Sequence, residues 1–376
     1  MKKMKHVVLL CCLMWVAALP ALRAQDKEMM AHYQSELSEL FAQAFTAPTD
    51  NERYHANESA MQLLAEALTA DNSFRWQWDF GNGVSVLTAS DKKFRIFTWP
   101  IVNDAGEYEC FGFVQALNER TKQYDVTQLN DRSLDIINRQ EEVLGPDRWY
   151  GAVYQDLIVT THQGRTFYTL LGWNGVDKLT QRKIIEPICF KSGGSTPQFG
   201  QNIFRKEPNL RRIVLEYKHD AMVNLSYEEQ YLHLTERVRP RRSSGFSLGS
   251  FFSNLFSSPS RSRRRGRGRG RASRPVATAA RTSAAVKSNN KNRPTYKTTD
   301  KKQLMIIFDQ VAPQVPGMEG LYQYYVPSGV EMAYLFNDGK WELYDTAQGR
   351  DPNKKLNKEF EPMEKPAPAY QVEQTH

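Results

Sequence analysis

Val84-Ser85-Val86-Leu87-Thr88-Ala89-Ser90-Asp91-Lys92-Lys93-Phe94-Arg95-Ile96-Phe97-Thr98-Trp99 holds two short runs of β-branched and aromatic residues on either side of a polar turn. Such runs pack well on a pleated surface, and their length suits strands rather than helices. Val84 to Thr88 therefore pairs with Phe94 to Trp99 as a hairpin. The pattern continues toward the C-terminus. Tyr108 to Ala116 meets Gln123 to Gln128 across Asn118-Glu119-Arg120, and Gly151 to Thr160 meets Thr166 to Trp173 across His162-Gln163-Gly164. Ile184 to Phe190 follows, with Pro187 suiting an edge or a bulge. Arg212 to Tyr217, Met222 to Tyr227, Tyr231 to Val238 and Gln303 to Asp309 come next. Tyr322 to Val326, Met332 to Phe336 and Lys340 to Tyr344 close the series, the last pair across Asn337-Asp338-Gly339, a strong two-residue hairpin signal.

Hairpin after hairpin with almost no helix between them disfavours a parallel α/β fold. The expected class is mainly β, an antiparallel hairpin meander over residues 74–345, with a small propeller-like arrangement, an open barrel and a sandwich all compatible with the pattern. Upstream, Met30, Tyr33, Leu37, Leu40, Phe41 and Phe45 recur at three and four until Pro48. Thr49-Asp50-Asn51-Glu52 then fits a capping box, and Met61, Leu64, Ala65 and Leu68 form a second stripe. Residues 25–70 are thus expected to form a helical hairpin packed through its apolar faces. After residue 347 the chain is polar and rich in Pro, Lys and Glu, which predicts a flexible tail over 347–376.

The first 24 residues have the three parts of a secretory signal in order. Lys2, Lys3 and Lys5 precede an uncharged apolar run, Val7 to Ala18, and Leu22-Arg23-Ala24 offers a small residue before Gln25. Pro20 and Arg23 interrupt the run well short of the roughly 20 apolar residues that span a bilayer. The reading is cleavage and export to the periplasm or the outer-membrane periphery, with no integral span afterwards. Cys11 and Cys12 lie inside the apolar run, out of place for lipid attachment. Of the cysteines only Cys110 and Cys189 survive cleavage, a number that allows one disulfide and equally two free thiols. Neither has a second cysteine or a histidine nearby, so no metal site is expected.

The formal charge of +8 does not belong to the body. Residues 237–301 hold 18 Lys and Arg against the single acid Asp300, and the signal holds four more bases. What is left is 28 basic against 41 acidic residues, about −13. One segment reverses the sign of the whole chain. Residues 239–300, with Arg263, Arg264, Arg265, Arg267, Arg269 and Arg271 at their centre, bury too little apolar surface to offset chain entropy and read as a disordered insertion within the β-domain. Those arginines are the candidates for contact with an anionic partner: a membrane surface, lipopolysaccharide or nucleic acid. Leu248, Phe251, Phe252, Leu255 and Phe256 share one helical face there, which suits a membrane surface or a docking peptide, or a loop that clusters on itself. Gly245-Phe246-Ser247-Leu248-Gly249 matches the hydrolase nucleophile elbow by letters alone, since Arg239-Pro240-Arg241-Arg242 is no buried strand.

Several phrases of the body carry a resemblance: Ser90-Asp91-Lys92-Lys93-Phe94-Arg95-Ile96-Phe97-Thr98-Trp99, Trp149-Tyr150-Gly151-Ala152-Val153-Tyr154, Tyr168-Thr169-Leu170-Leu171-Gly172-Trp173-Asn174-Gly175 and Glu319-Gly320-Leu321-Tyr322-Gln323-Tyr324-Tyr325. Together they resemble a set of exported, uncharacterised proteins of the Bacteroidetes, over about residues 74–345 without the arginine insertion. The resemblance implies an envelope location and a single β-rich domain, and it implies no activity.

No His-Glu-x-x-His helix, calcium loop or paired acid and nucleophile stands out, so no catalytic residue and no cofactor is assigned. Aromatic residues near turns are the enriched class. Trp149, Tyr150, Trp173, Tyr322 and Tyr324 are candidates for stacking on a sugar or gripping a peptide, against the plainer role of filling the core. The expectation is an exported envelope protein acting as a non-catalytic binding or interaction module, with an envelope protein or an anionic membrane surface as partner. Its rivals are a glycan- or peptide-acting enzyme with a site assembled from distant strands, and binding of anionic lipid, lipopolysaccharide or nucleic acid through the arginines.

Overall fold

Thr49 separates two helices and caps the second. The computed structural model describes residues 25–238 and 295–345, without the side chains of 231–238, 295–301 and 345. Helix α1 runs over residues 25–46 and α2 over Asp50–Thr69. The Thr49 hydroxyl accepts from the Glu52 N–H at 3.3 Å, the N-cap half of the box read from the sequence, and donates to the Glu52 carboxylate at 2.9 Å where a full box would have that carboxylate on the Thr49 N–H. Met30, Leu37, Phe41 and Ala44 of α1 and Ala60, Leu64, Ala67 and Leu68 of α2 are buried on a common core with one face of the first sheet.

That sheet is a plain antiparallel meander of β1 (Ser85–Thr88), β2 (Phe94–Val102), β3 (Tyr108–Leu117) and β4 (Tyr124–Asn130). Alternation along β2 and β3 divides its side chains. Phe97, Trp99, Ile101 and Phe113 face the helices, while Phe94, Ile96, Cys110, Val114 and Ala116 face the other way. The helix side also takes polar groups. Trp99 Nε1 donates to Asn57 Oδ1 at 2.7 Å, and Arg95 donates to the carbonyls of Phe74 and Trp76.

The second sheet comprises β5 (Val153–His162), β6 (Arg165–Asn174) and β7 (Thr180–Phe190), with β8 (Pro197–Phe199) and β9 (Ile213–Lys218) both paired to the far side of β7. Tyr168, Leu170, Ile184 and Ile188 pack against the first sheet; Ile158, Leu171, Ile185 and Ile213 face away, onto the third. Pro187 lies neither at an edge nor in a bulge. It pairs with Thr169 on one side, and on the other it falls between the β9 partner Ile185 and the β8 partner Ile188, where its missing N–H interrupts no ladder. The three-residue β8 escaped detection because so short a strand has no period.

The third sheet runs β10 (Leu225–Val238), β11 (Thr295–Pro313), β12 (Tyr325–Asn337) and β13 (Lys340–Asp345). Two pairs of expected strands are single strands here. Met222 to Tyr227 and Tyr231 to Val238 merge into β10, and the stretch from Tyr325 to Phe336 is continuous, with Tyr322–Tyr324 forming a 3-10 turn before it. Polar residues between the apolar runs marked no turn because an antiparallel strand at a sheet edge tolerates them. At the β12–β13 hairpin, Asp338 and Gly339 both have positive φ (50° and 74°), the type I′ geometry predicted from the Asn-Asp-Gly triplet.

The fold is therefore mainly β, a helical pair followed by three successive antiparallel sheets that share cores in chain order, and none of the sheets is closed. Residues up to Leu232 and from Lys301 onward belong to one compact unit; a second, His233–Asp300, contributes the ends of β10 and β11. The expected insertion core, its six arginines, the 247–256 stretch, the signal and the tail lie outside the described residues. Among the described residues, no helix is long and apolar enough to cross a membrane.

Candidate functional site

The β4–β5 connection, residues 131–152, covers the part of the second sheet that carries β7 and β9. Its two ends are held together by a parallel bridge between Asp131 and Trp149. The Asp131 carboxylate accepts from the N–H groups of Ser133 (2.8 Å), Cys110 (3.0 Å) and Gly151 (3.3 Å). Gly151 is required there, since a Cβ on it would stand 1.9 Å from Asp131 Oδ2. Further along, Leu144 bridges Phe199 of β8, and the Gln140 carbonyl accepts from Arg211 N–H at 2.7 Å. The loop is thus anchored at three points on its own sheet.

Beneath it lies a network of charged and aromatic groups. Glu186, in the middle of the apolar run of β7, receives Arg212 Nε at 2.5 Å, and neither side chain has any exposed surface. Tyr154 of β5 donates its hydroxyl to the second Glu186 oxygen at 2.9 Å and accepts from Trp149 Nε1 at 2.9 Å. Arg212 spends its remaining donors on the carbonyls of Arg139 and Phe199. Beside this pair, Glu216 of β9 faces Arg139 Nη1 at 2.5 Å, Arg182 Nε at 3.2 Å and the Thr180 hydroxyl at 3.2 Å.

Tyr150 lies among all three arginines. Arg182 and Arg212 stand 5.7 and 6.0 Å from its ring centroid, and the neighbour of its buried hydroxyl is Arg139, without a hydrogen bond of full geometry between them. Burial raises the Tyr150 pKa against the opposing pull of Arg182 and Arg139. The Tyr154 pKa is pushed further up, first by burial and then by the Glu186 charge, so this phenol stays a donor. Arg139 pays for burial as well, but Tyr150 and Glu216 outweigh that and its pKa rises.

Arg139 is also the route to the surface. One quarter of its side chain is exposed, and its guanidinium lies 5.3 Å above the ring of Tyr322, in the 3-10 turn that precedes β12. Exposed apolar side chains occur on both elements that meet at this contact. Leu134 and Ile137 of the β4–β5 loop are 89% and 90% exposed, and Leu321 and Tyr324 of the facing turn are also exposed.

Of the five aromatic candidates, the structure links Tyr150 to Tyr322 through Arg139, and Tyr324 belongs to the same turn. Trp149 and Tyr150 have no exposed surface, so no flat ligand reaches either ring; they fill the core and its polar network. Trp173 is half-buried elsewhere, donating to Gln181 at 2.7 Å and meeting the Tyr108 ring edge-on. Arg263, Arg264, Arg265, Arg267, Arg269 and Arg271 lie outside the described residues. Cys110 and Cys189 form no bridge: both are free thiols, Cys110 buried with its pKa raised well up by desolvation. No group of three or more His, Cys, Asp and Glu side chains converges among the described residues.

Arg139, Arg182, Glu186, Arg212 and Glu216 were not singled out from the sequence. Glu186 carried a signal, a lone acid between Ile184-Ile185 and Pro187-Ile188, which in a buried strand demands a cationic partner. No known protein family, curated protein or solved structure matches the chain.

Proposed function

We propose that this chain is an exported protein of the cell envelope and that its β-body is a non-catalytic interaction module. The observation that carries the reading is the pair Leu134 and Ile137. Their loop is anchored by the Asp131, Leu144 and Gln140 contacts, yet both side chains stand almost wholly in solvent. A rigid loop that presents two aliphatic side chains binds with little ordering cost, and covering each contributes about 1.5–3 kcal/mol. Leu321 and Tyr324 extend the same kind of surface on the turn joined to the loop through Tyr322 and Arg139.

The partner at this loop is a protein of the envelope rather than an anionic lipid surface, because residues 131–148 hold five acidic side chains against three arginines. The buried acids and bases support the same reading: Glu186 and Glu216 spend their oxygens on arginines and hydroxyls that hold the loop to the sheet.

A photo-crosslinking side chain at position 137, expressed in the native envelope, tests this. The expected result is one discrete protein adduct, lost on Leu134→Asp and absent when the probe is moved to Lys122. No adduct above the Lys122 control overturns the reading, and so does turnover of a glycan or peptide abolished by a single carboxylate substitution.

A further inference from the structure

In the network under the β4–β5 loop two arginines share one glutamate. Arg212 is neutralised by Glu186, and at the rim Arg148 pairs with Glu142. Arg139 and Arg182, however, share the single carboxylate of Glu216, with Arg182 reaching it only at 3.2 and 3.5 Å. Arg182 is about nine-tenths buried. Two buried cations that share one carboxylate are each only partly compensated, and a second anion beside them lowers that cost. A second observation points to the same place. The hydroxyl of Tyr150, on a side chain with no exposed surface, lies beside Arg139 without a hydrogen bond of full geometry, and Arg182 and Arg212 stand against its ring.

We propose that Arg139, Arg182 and Tyr150 form a subsite for one oxyanion, a carboxylate or a phosphate group. The two arginines supply charge and forked donors, and the phenol supplies one further donor, a combination that suits planar or tetrahedral oxyanions. Glu216 then serves as a positioning residue, holding both guanidiniums on one side so that their remaining N–H groups face the anion. Entry is beside Arg139, the member of the trio with appreciable exposure, which stacks on Tyr322 at the surface. Tyr322 is accordingly the cover of the subsite. The subsite does not rest on the loop surface proposed above: the crosslink can fail while anion binding holds, and the reverse.

The mature chain is titrated with inorganic phosphate and, separately, with acetate, each against sodium chloride at equal ionic strength. Melting temperature and the tyrosine ultraviolet difference spectrum are followed. Binding of at least one oxyanion beyond the chloride control is expected, weakened about tenfold in Tyr150→Phe and more in Arg139→Gln. Circular dichroism confirms that both variants fold, and Arg75→Gln, remote from the network, serves as the unchanged control. A parallel arm sediments the chain with phosphatidylglycerol vesicles at a salt concentration high enough to release binding through the arginine-bearing insertion. Vesicle binding lost in Arg139→Gln assigns a headgroup as the source, whereas an effect of the dissolved ion alone assigns a free anion. No oxyanion effect beyond chloride, or an effect equal in wild type, Tyr150→Phe and Arg139→Gln, overturns the subsite.

Discussion

Arg212 and Glu186 form an ion pair at 2.5 Å with no exposed surface on either side chain, completed by the Tyr154 hydroxyl and the Arg139 and Phe199 carbonyls. All three guanidinium nitrogens and both carboxylate oxygens have a partner, so removing one side chain leaves a bare buried charge. Arg212→Met or Glu186→Leu alone is expected to cost about 3–5 kcal/mol in urea unfolding. The double variant loses much less than the sum of the two, since it buries no unpaired charge. Additive losses would show that the two side chains act independently.

Gly151 predicts a steric effect on the same loop. Any Cβ there meets the Asp131 carboxylate that collects three backbone N–H groups. Gly151→Ala is expected to destabilise the chain by about 1–3 kcal/mol, read as a lower urea midpoint with unchanged slope. Asp131→Asn in the same background relieves little, because the clash is one of volume.

Asp156 makes stability depend on pH. It sits at the irregularity of β5 between Tyr154 and Asp156, accepts from the Leu157 N–H at 2.7 Å, and burial raises its pKa above 3.8. The folded state therefore holds this proton more tightly than the unfolded chain. The stability linked to it is complete below pH 3.8 and is lost as pH rises through the raised folded value. Asp156→Asn is expected to melt higher than wild type at neutral pH, and the difference should close as pH falls below 3.8. Calorimetry at several pH values reads it; a constant difference across the range excludes the titration of Asp156 as its origin.

The arginine-bearing insertion predicts a salt effect that does not involve the β-body. Removing residues 241–297 takes away 15 Lys and Arg and no acid, leaving 31 basic and 42 acidic residues in what remains of 25–376. The full mature chain should co-fractionate with anionic membranes at low salt and leave them at high salt, while the deletion variant stays unbound throughout. Membrane association unchanged by the deletion would remove the insertion from that role.

Export predicts the N-terminus. Mass spectrometry of the chain recovered from the envelope fraction should find Gln25 first, after cleavage behind Ala24. Recovery of intact residues 1–24 there argues for an uncleaved anchor.

The aromatic candidates divide along an instructive line. Trp149 and Tyr150 drew attention as rings near a turn, and the turn proved to be the inner end of an anchored loop, so both rings point into the core. Tyr322 and Tyr324 also lie in a turn, yet one is half-buried and the other exposed, because that turn precedes a strand whose core begins only at Met332. Rings of one kind near turns thus took different places.

What the sequence by itself determined is local: the capping box at Thr49, the hairpin at Asn337-Asp338-Gly339, the alternation that makes β2 and β3 two-faced, and the charge that resides in residues 239–300 rather than in the body. Each depends on neighbours a few positions apart, and backbone sterics and side-chain period act over that range. Only the tertiary structure decided which sheets share a core and which acid meets which base. Glu186 reaches Arg212 across 26 positions, and Arg139 reaches Glu216 across 77. Those pairings exist because a loop of suitable length folds back over the second sheet, and burial then makes an unpaired charge too costly to leave.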